Sequence, residues 1–261
     1  MFALKDDIPT RRFPILTVVF IVANVLMFFG FQGAFFNDAE FDRKVVEYGA
    51  IPYEISHPGK ECALTADSQA LACEGQSGVV GEAPEDQAPT WLTLLTSMFM
   101  HGGLLHLGGN MLFLWIFGNN IEDSMGPLRF VAFYLLGGLA ALLAQTLIDP
   151  NAAVPTIGAS GAVAAVLGGY ALLYPRARVV TVIFIIIFFT IVTLPALLVL
   201  GAWFVLQALS GASSLVQPVG EGGGVAYFAH IGGFLFGLAL IRLFANDVHE
   251  DYEAAHRMPV Y

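Results

Sequence analysis

Six stretches of this chain are too apolar to belong on a water-facing surface, and they decide what it can fold into. They lie at residues 14–31, 104–121, 128–148, 159–174, 179–209 and 226–244. A hydrocarbon core about 30 Å thick takes about 20 apolar residues in helical form, and helices satisfy their own backbone groups there. Charged residues are 12% of the chain, against about 25% in soluble domains. The class is therefore a polytopic helical membrane protein. No basic stripe with interleaved aromatics is present, which argues against a nucleic-acid partner. No internal repeat divides the chain into similar halves, which argues against a repeat-built transporter.

Residues 14–31 follow Lys5, Arg11 and Arg12. At roughly 27 Å as a helix, they exceed a signal-peptide core, and no clear small-residue cleavage site follows. They read as a retained signal anchor. The run 179–209 would be roughly 46 Å as one helix, longer than a crossing needs. Pro195 is the expected break. That places the fifth span at 194–209 and makes 179–189 a hydrophobic connection at the inner interface.

The fold expected is an all-α bundle of six transmembrane helices, with both termini cytoplasmic. Residues 1–13 and 245–261 are inside, 32–103 form a long outer loop, and 104–244 carry spans two to six (104–121, 128–148, 159–174, 194–209, 226–244). Eight Lys and Arg fall on inner segments and three on outer ones, as positive-inside orientation requires. Thirteen acids fall outside, so the outer face carries the whole net charge of −10. The expected location is a bacterial inner membrane. Residues 210–224, rich in Gly and Ser, are expected with the fifth span to form a mobile gate. Cys62 and Cys73 both lie in the outer loop, where a disulfide is expected; two free thiols are the other reading. Only His57 lies near them, too few ligands for a metal.

Spans two, four and six each begin with unusual residues, all at one depth. The fourth begins at Gly158-Ala159-Ser160-Gly161, a hydroxyl among residues with almost no side chain, at a helix N-terminus. The second is preceded by His101 and holds His106 and Asn110, four apart and on one helical face. The sixth carries His230, Gly233 and Gly237, a spacing that lets membrane helices approach closely. Polar groups inside a membrane are functional candidates by default. His230 could serve Ser160 as general base, while His106 and Asn110 could donate to a developing oxyanion. Each residue alone also reads as helix packing. No acid is placed to complete a triad, so a Ser–His dyad is the economical proposal.

Taken together, His101-x4-His106-x3-Asn110, Gly158-Ala159-Ser160-Gly161 and Ala229-His230-x2-Gly233-x3-Gly237 resemble the rhomboid family of intramembrane serine proteases over about residues 90–244. The resemblance implies Ser160 as nucleophile and His230 as base. It implies an oxyanion site of His106, Asn110 and the Ser160 backbone N–H, in a water-filled cavity below the outer surface. Substrates would be single-span membrane proteins met among membrane lipids, and no cofactor is implied. An inactive relative that binds and escorts membrane helices is the alternative. One departure concerns the place four residues after the serine, where many relatives have Tyr or Phe stacked on the histidine. Here it is Ala164, and Tyr227 or Phe228 is expected to orient His230 instead.

Overall fold

The protein is described by a computed structural model covering residues 2–34, 38–64, 71–76, 88–185, 188–215 and 225–246. In chain order the elements are β1 (Phe2–Asp6), α1 (Ile15–Leu26), α2 (Asp38–Tyr48), α3 (Pro52–Ser56), β2 (Cys62–Leu64), β3 (Leu71–Cys73), α4 (Thr90–Thr96), α5 (Leu104–Phe113), α6 (Asn119–Met125), α7 (Pro127–Ile148), α8 (Ser160–Leu173), β4 (Arg178–Ile185), β5 (Phe188–Pro195), α9 (Ala196–Ser214) and α10 (Tyr227–Phe244). A π-helical turn extends α1 to Phe31, and another, Leu114–Gly118, joins α5 to α6.

The chain is mostly helical. Among the described residues, α7, α9 and α10 have the length and apolar composition to cross a membrane, while Ile15–Phe31 and Ser160–Leu173 are shorter apolar helices. Two expectations are corrected. The fold is not purely helical, and 179–189 is not a bare connection: β4 and β5 form an antiparallel hairpin whose other edge pairs with β1. The run Val179-Val180-Thr181-Val182-Ile183 is β-branched throughout, which favours a strand over a helix. Pro195 does mark the break: it directly precedes α9. That helix runs on to Ser214, so 210–214 are helical; the rest of the expected gate loop, 216–224, and most of the tail lie outside the described residues.

The ends of the spans are tied by polar contacts. Glu122 on α6, buried, accepts hydrogen bonds from the Leu16 and Thr17 N–H groups (3.0 and 2.8 Å) and from the Thr17 hydroxyl (2.8 Å). A carboxylate there meets the unpaired donors and positive end of α1. Gly126, at φ +79°, closes α6 and hands over to Pro127 at the start of α7. Only glycine takes that backbone easily, and proline suits a first helical position. Nearby, the Asn246 N–H donates to the Ser124 carbonyl at 3.0 Å, and β1 pairs with β4. β1 and the residues just after α10 are therefore both held at the end of the bundle far from Ser160.

At the other end, α2, α3 and the β2–β3 hairpin make a small unit with its own apolar cluster of Val46, Ile51, Tyr53, Cys62 and Cys73. Cys62 and Cys73 face each other across the hairpin and are joined as a disulfide. This unit grips the loop that leads into α8: Tyr53 N–H donates to the Ala152 carbonyl (3.1 Å) and Thr156 N–H to the Ala50 carbonyl (2.7 Å). The turn after α4 holds it as well, with Gly158 N–H donating to the Ser97 carbonyl (2.8 Å).

Candidate active site

The site is built where α10 crosses α8. An ideal Cβ on Gly233 would lie 2.1 Å from the Gly161 carbonyl oxygen, and one on Gly237 would lie 1.9 Å from the Ala165 oxygen. From the other side, a Cβ on Gly168 would lie 2.0 Å from the Phe234 oxygen. At these places backbone rests on backbone, so only glycine fits. His230 lies one turn before Gly233 and is carried over the first residue of α8. Its Nε2 is 2.8 Å from Ser160 Oγ, and both residues are half-buried.

Gly158 shapes the approach to Ser160. Its φ of +126° is a conformation that side chains resist. A Cβ there would also lie 2.8 Å from the Cε1 and Nε2 atoms of His106 and 3.4 Å from Ser160 Oγ. The missing side chain leaves His106 and Ser160 facing one small space. The Gly102 N–H donates to His106 Nδ1 at 3.3 Å. Nδ1 is therefore the acceptor and Nε2 carries the proton, which makes the atom beside Gly158 a donor.

Asn110 follows His106 by one turn on α5. It is buried, and among the described residues its Nδ2 meets no acceptor. An unpaired buried donor costs about 1–3 kcal/mol, a penalty that makes sense where a negative charge develops during reaction. His101 is fully buried and meets His106 edge-on, with ring centroids 5.1 Å apart. Its backbone is held both ways by the Gln32 amide: Gln32 Nε2 donates to the His101 carbonyl (3.0 Å), and the His101 N–H donates to Gln32 Oε1 (2.9 Å).

The far side of His230 differs from expectation. Tyr227 and Phe228 pack around Gly211 of α9 instead of the imidazole. The groups at His230 are Gln207, whose Oε1 is 2.8 Å from Nδ1, and Trp203, whose ring centroid is 5.9 Å away. Both are on α9. Among the described residues no carboxylate hydrogen-bonds to His230. Ala164 lies against the glycine face of α10: a Cβ added to Gly233 would lie 3.3 Å from the Ala164 Cβ. Gln207 was detectable in the sequence as an amide within an apolar span; Gln32 lies just past the first span and gave no such signal.

The structure thus gathers Ser160, His230, His106 and Gly158. It uses Gly161, Gly233 and Gly237 as the crossing and leaves Cys62 and Cys73 apart, in the small unit of α2, α3 and the β2–β3 hairpin. The hydroxyl has a proton acceptor at hydrogen-bond distance, and beside it lie a donor imidazole and the first N–H groups of α8, which lack helical acceptors. That combination suits addition of the serine to a carbonyl.

The sequence model of the Rhomboid domain matches residues 88–247, so the chain belongs to the rhomboid family. It is 30% identical over 158 residues to Rhomboid protein 1, mitochondrial, of Saccharomyces cerevisiae, covering 59% of this chain and 42% of that protein. It is 40% identical over 84 residues to Rhomboid protease GluP of Bacillus subtilis, covering 32% and 16% respectively. With the Presenilin-associated rhomboid-like protein, mitochondrial, of mouse it shares 31% over 150 residues, covering 56% and 36%. The match takes in less than half the length of each of these relatives. Two of the three are named as mitochondrial, so they do not single out a bacterial inner membrane.

Proposed function

We propose that this rhomboid-family chain is an intramembrane serine endopeptidase that cuts single-span membrane proteins within or beside the bilayer. The observation that carries the reading is the 2.8 Å contact between Ser160 Oγ and His230 Nε2. His230 takes the serine proton as Oγ attacks the scissile carbonyl, then returns it to the leaving amine. His106 Nε2–H, Asn110 Nδ2–H and the Ser160 N–H receive the oxyanion. Water, admitted to the half-buried site, repeats the cycle on the acyl-enzyme. A helical peptide bond is shielded from attack, so a substrate must unwind at the cut, and helix-destabilising residues in it help.

The proposed setting is a six-span, multi-pass protein with both termini cytoplasmic and the dyad toward the outer leaflet. The eight-to-three division of basic residues supports that orientation. An escort protein without activity is not favoured, because both reacting groups are present and hydrogen-bonded. A fluorophosphonate probe should label the reconstituted wild type and spare Ser160→Ala, and Ser160→Ala should abolish cleavage of a single-span substrate in the same vesicles. Unlabelled wild type that still co-purifies with membrane helices would favour the escort reading.

A further inference from the structure

We infer that Gln207 is the positioning residue for His230. It sets the imidazole tautomer from α9, in the place where a carboxylate would stand in a triad. The inference rests on the dyad reading and says what regulates the base within it.

Three observations carry it. First, the chain of contacts is linear: Gln207 Oε1 to His230 Nδ1 is 2.8 Å, and His230 Nε2 to Ser160 Oγ is 2.8 Å. An amide oxygen only accepts, so Nδ1 must carry the proton, and Nε2 is left with the lone pair that the serine proton needs. Second, Gln207 stands on the inward stripe of its helix. Ala196, Leu200 and Gly211 on α9 are buried, and Gln207 falls in line with them at helical spacing. An apolar residue would serve packing there, and an amide on that face needs a partner; His230 is the partner it has. Third, nothing else does this work. His230 has no other hydrogen bond at Nδ1 among the described residues, and Trp203 offers it only a ring face at 5.9 Å.

The consequence is a division of labour. Ser160 and His230 stay in register through the glycine crossing, whereas the correct tautomer of His230 depends on where α9 stands. A neutral amide orients the ring but adds no charge to the imidazolium that forms in reaction. The site is tuned by geometry in place of a buried acid.

Gln207→Leu and Gln207→Glu, purified and reconstituted beside the wild type, test this. Cleavage of a single-span substrate is measured from pH 4 to 9, with thermal unfolding as a control for folding. The Leu variant should lose about 10–10²-fold in kcat with KM unchanged, because Nδ1 has no acceptor to fix its proton. The Glu variant should keep most of its kcat, and the acid limb of its pH profile should move up by about one unit or more, since a carboxylate favours the imidazolium. A packing role would leave that limb where it is in wild type. Wild-type kcat in the Leu variant, or a Glu profile superimposable on wild type, overturns the inference. Should the Leu variant unfold, the Glu profile decides. Active wild type with unaffected Gln207 variants removes only the positioning role, whereas wild type that neither cleaves nor labels removes the dyad and this inference with it.

Discussion

α8, which begins with Ser160, meets its neighbours α10 and α9 in opposite ways. α10 lies on α8 with backbone against backbone at three glycines, and every residue of α8 from Gly161 to Ala171 is buried. α9 lies less closely: where its Gly211 faces α10, an added Cβ would come no nearer than 3.4 Å to a neighbour, and the neighbours are side chains. Ala196, Val199, Leu200 and Gly211 are its buried residues, and a cavity of about 520 Å³ lined by Leu172, Gly201, Phe204, Phe234 and Leu238 opens between it and its neighbours. The difference separates what must stay fixed from what can move. The candidate nucleophile and base ride on the close pair. Gln207, the residue inferred to position His230, rides on the loose helix. If α9 shifts to admit a substrate, Ser160 and His230 remain together, and only the orientation of the base is affected.

The largest effect should come from breaking the close crossing. In Gly237→Ala the new Cβ would lie 1.9 Å from the Ala165 carbonyl oxygen and 2.9 Å from the Gly169 nitrogen. Both are backbone atoms inside a helix and cannot step aside, so α10 must lift. Overpacking of this kind costs about 1–3 kcal/mol, and a misplacement of about 1 Å at a reacting group can cost about 10²-fold in rate. Fluorophosphonate labelling of the reconstituted variant should slow accordingly. Labelling at the wild-type rate would mean that the crossing does not set the dyad, and the contrast with α9 would lose its meaning.

A second effect sharpens the contrast at the far end of α8. There Asp6 of β1 is buried and accepts hydrogen bonds from Asn120 Nδ2 (2.6 Å) and from the Tyr170 hydroxyl (2.7 Å). One buried carboxyl thus ties β1, α6 and α8. Burial is the main reason its pKa rises from 3.8 to about 6; the Tyr170 hydrogen bond opposes the rise and neighbouring Asp7 adds to it. The folded state therefore binds the proton more tightly than the unfolded chain. The stabilisation is complete below about pH 4 and is lost as pH rises towards 6. Asp6→Asn keeps an acceptor without the charge. It should raise stability at pH 7 by roughly 2–3 kcal/mol and flatten the dependence between those two pH values. Thermal unfolding in detergent from pH 4 to 8 reads both, and an unchanged pH slope in the variant would show that Asp6 is not the group responsible.

Much of this contrast was legible in the chain, and the reason it was uneven is physical. The crossing shows in the sequence because close helix approach demands glycine, so Gly161, Gly168, Gly233 and Gly237 stand out against leucine and phenylalanine. The depth shared by His106, Ser160 and His230 shows because polar groups in apolar runs are costly. The three-stranded sheet is not legible from hydropathy, which does not distinguish an apolar strand from a helix; the β-branched composition of 179–183 does. The expected partner of His230, Tyr227 or Phe228, is on its own helix; the observed one, Gln207, is on another, and a lone glutamine in an apolar span names no partner until the helices are placed.

The smallest predicted effect is the most direct check on α9. Gly201 faces the cavity, and a Cβ added there would meet nothing within 4 Å. Gly201→Ala should therefore fill open space, with helix propensity alone changing stability, in its favour, by about 0.5–1 kcal/mol. Labelling and cleavage should stay at wild-type levels, since no contact to Gln207 or Trp203 is altered. The comparison with Gly237→Ala is like for like: the same substitution, on two helices beside the same site. If both variants lost stability and activity to a similar extent, α9 would have to pack as tightly as α10, and the separation of fixed dyad from movable positioning helix would fail.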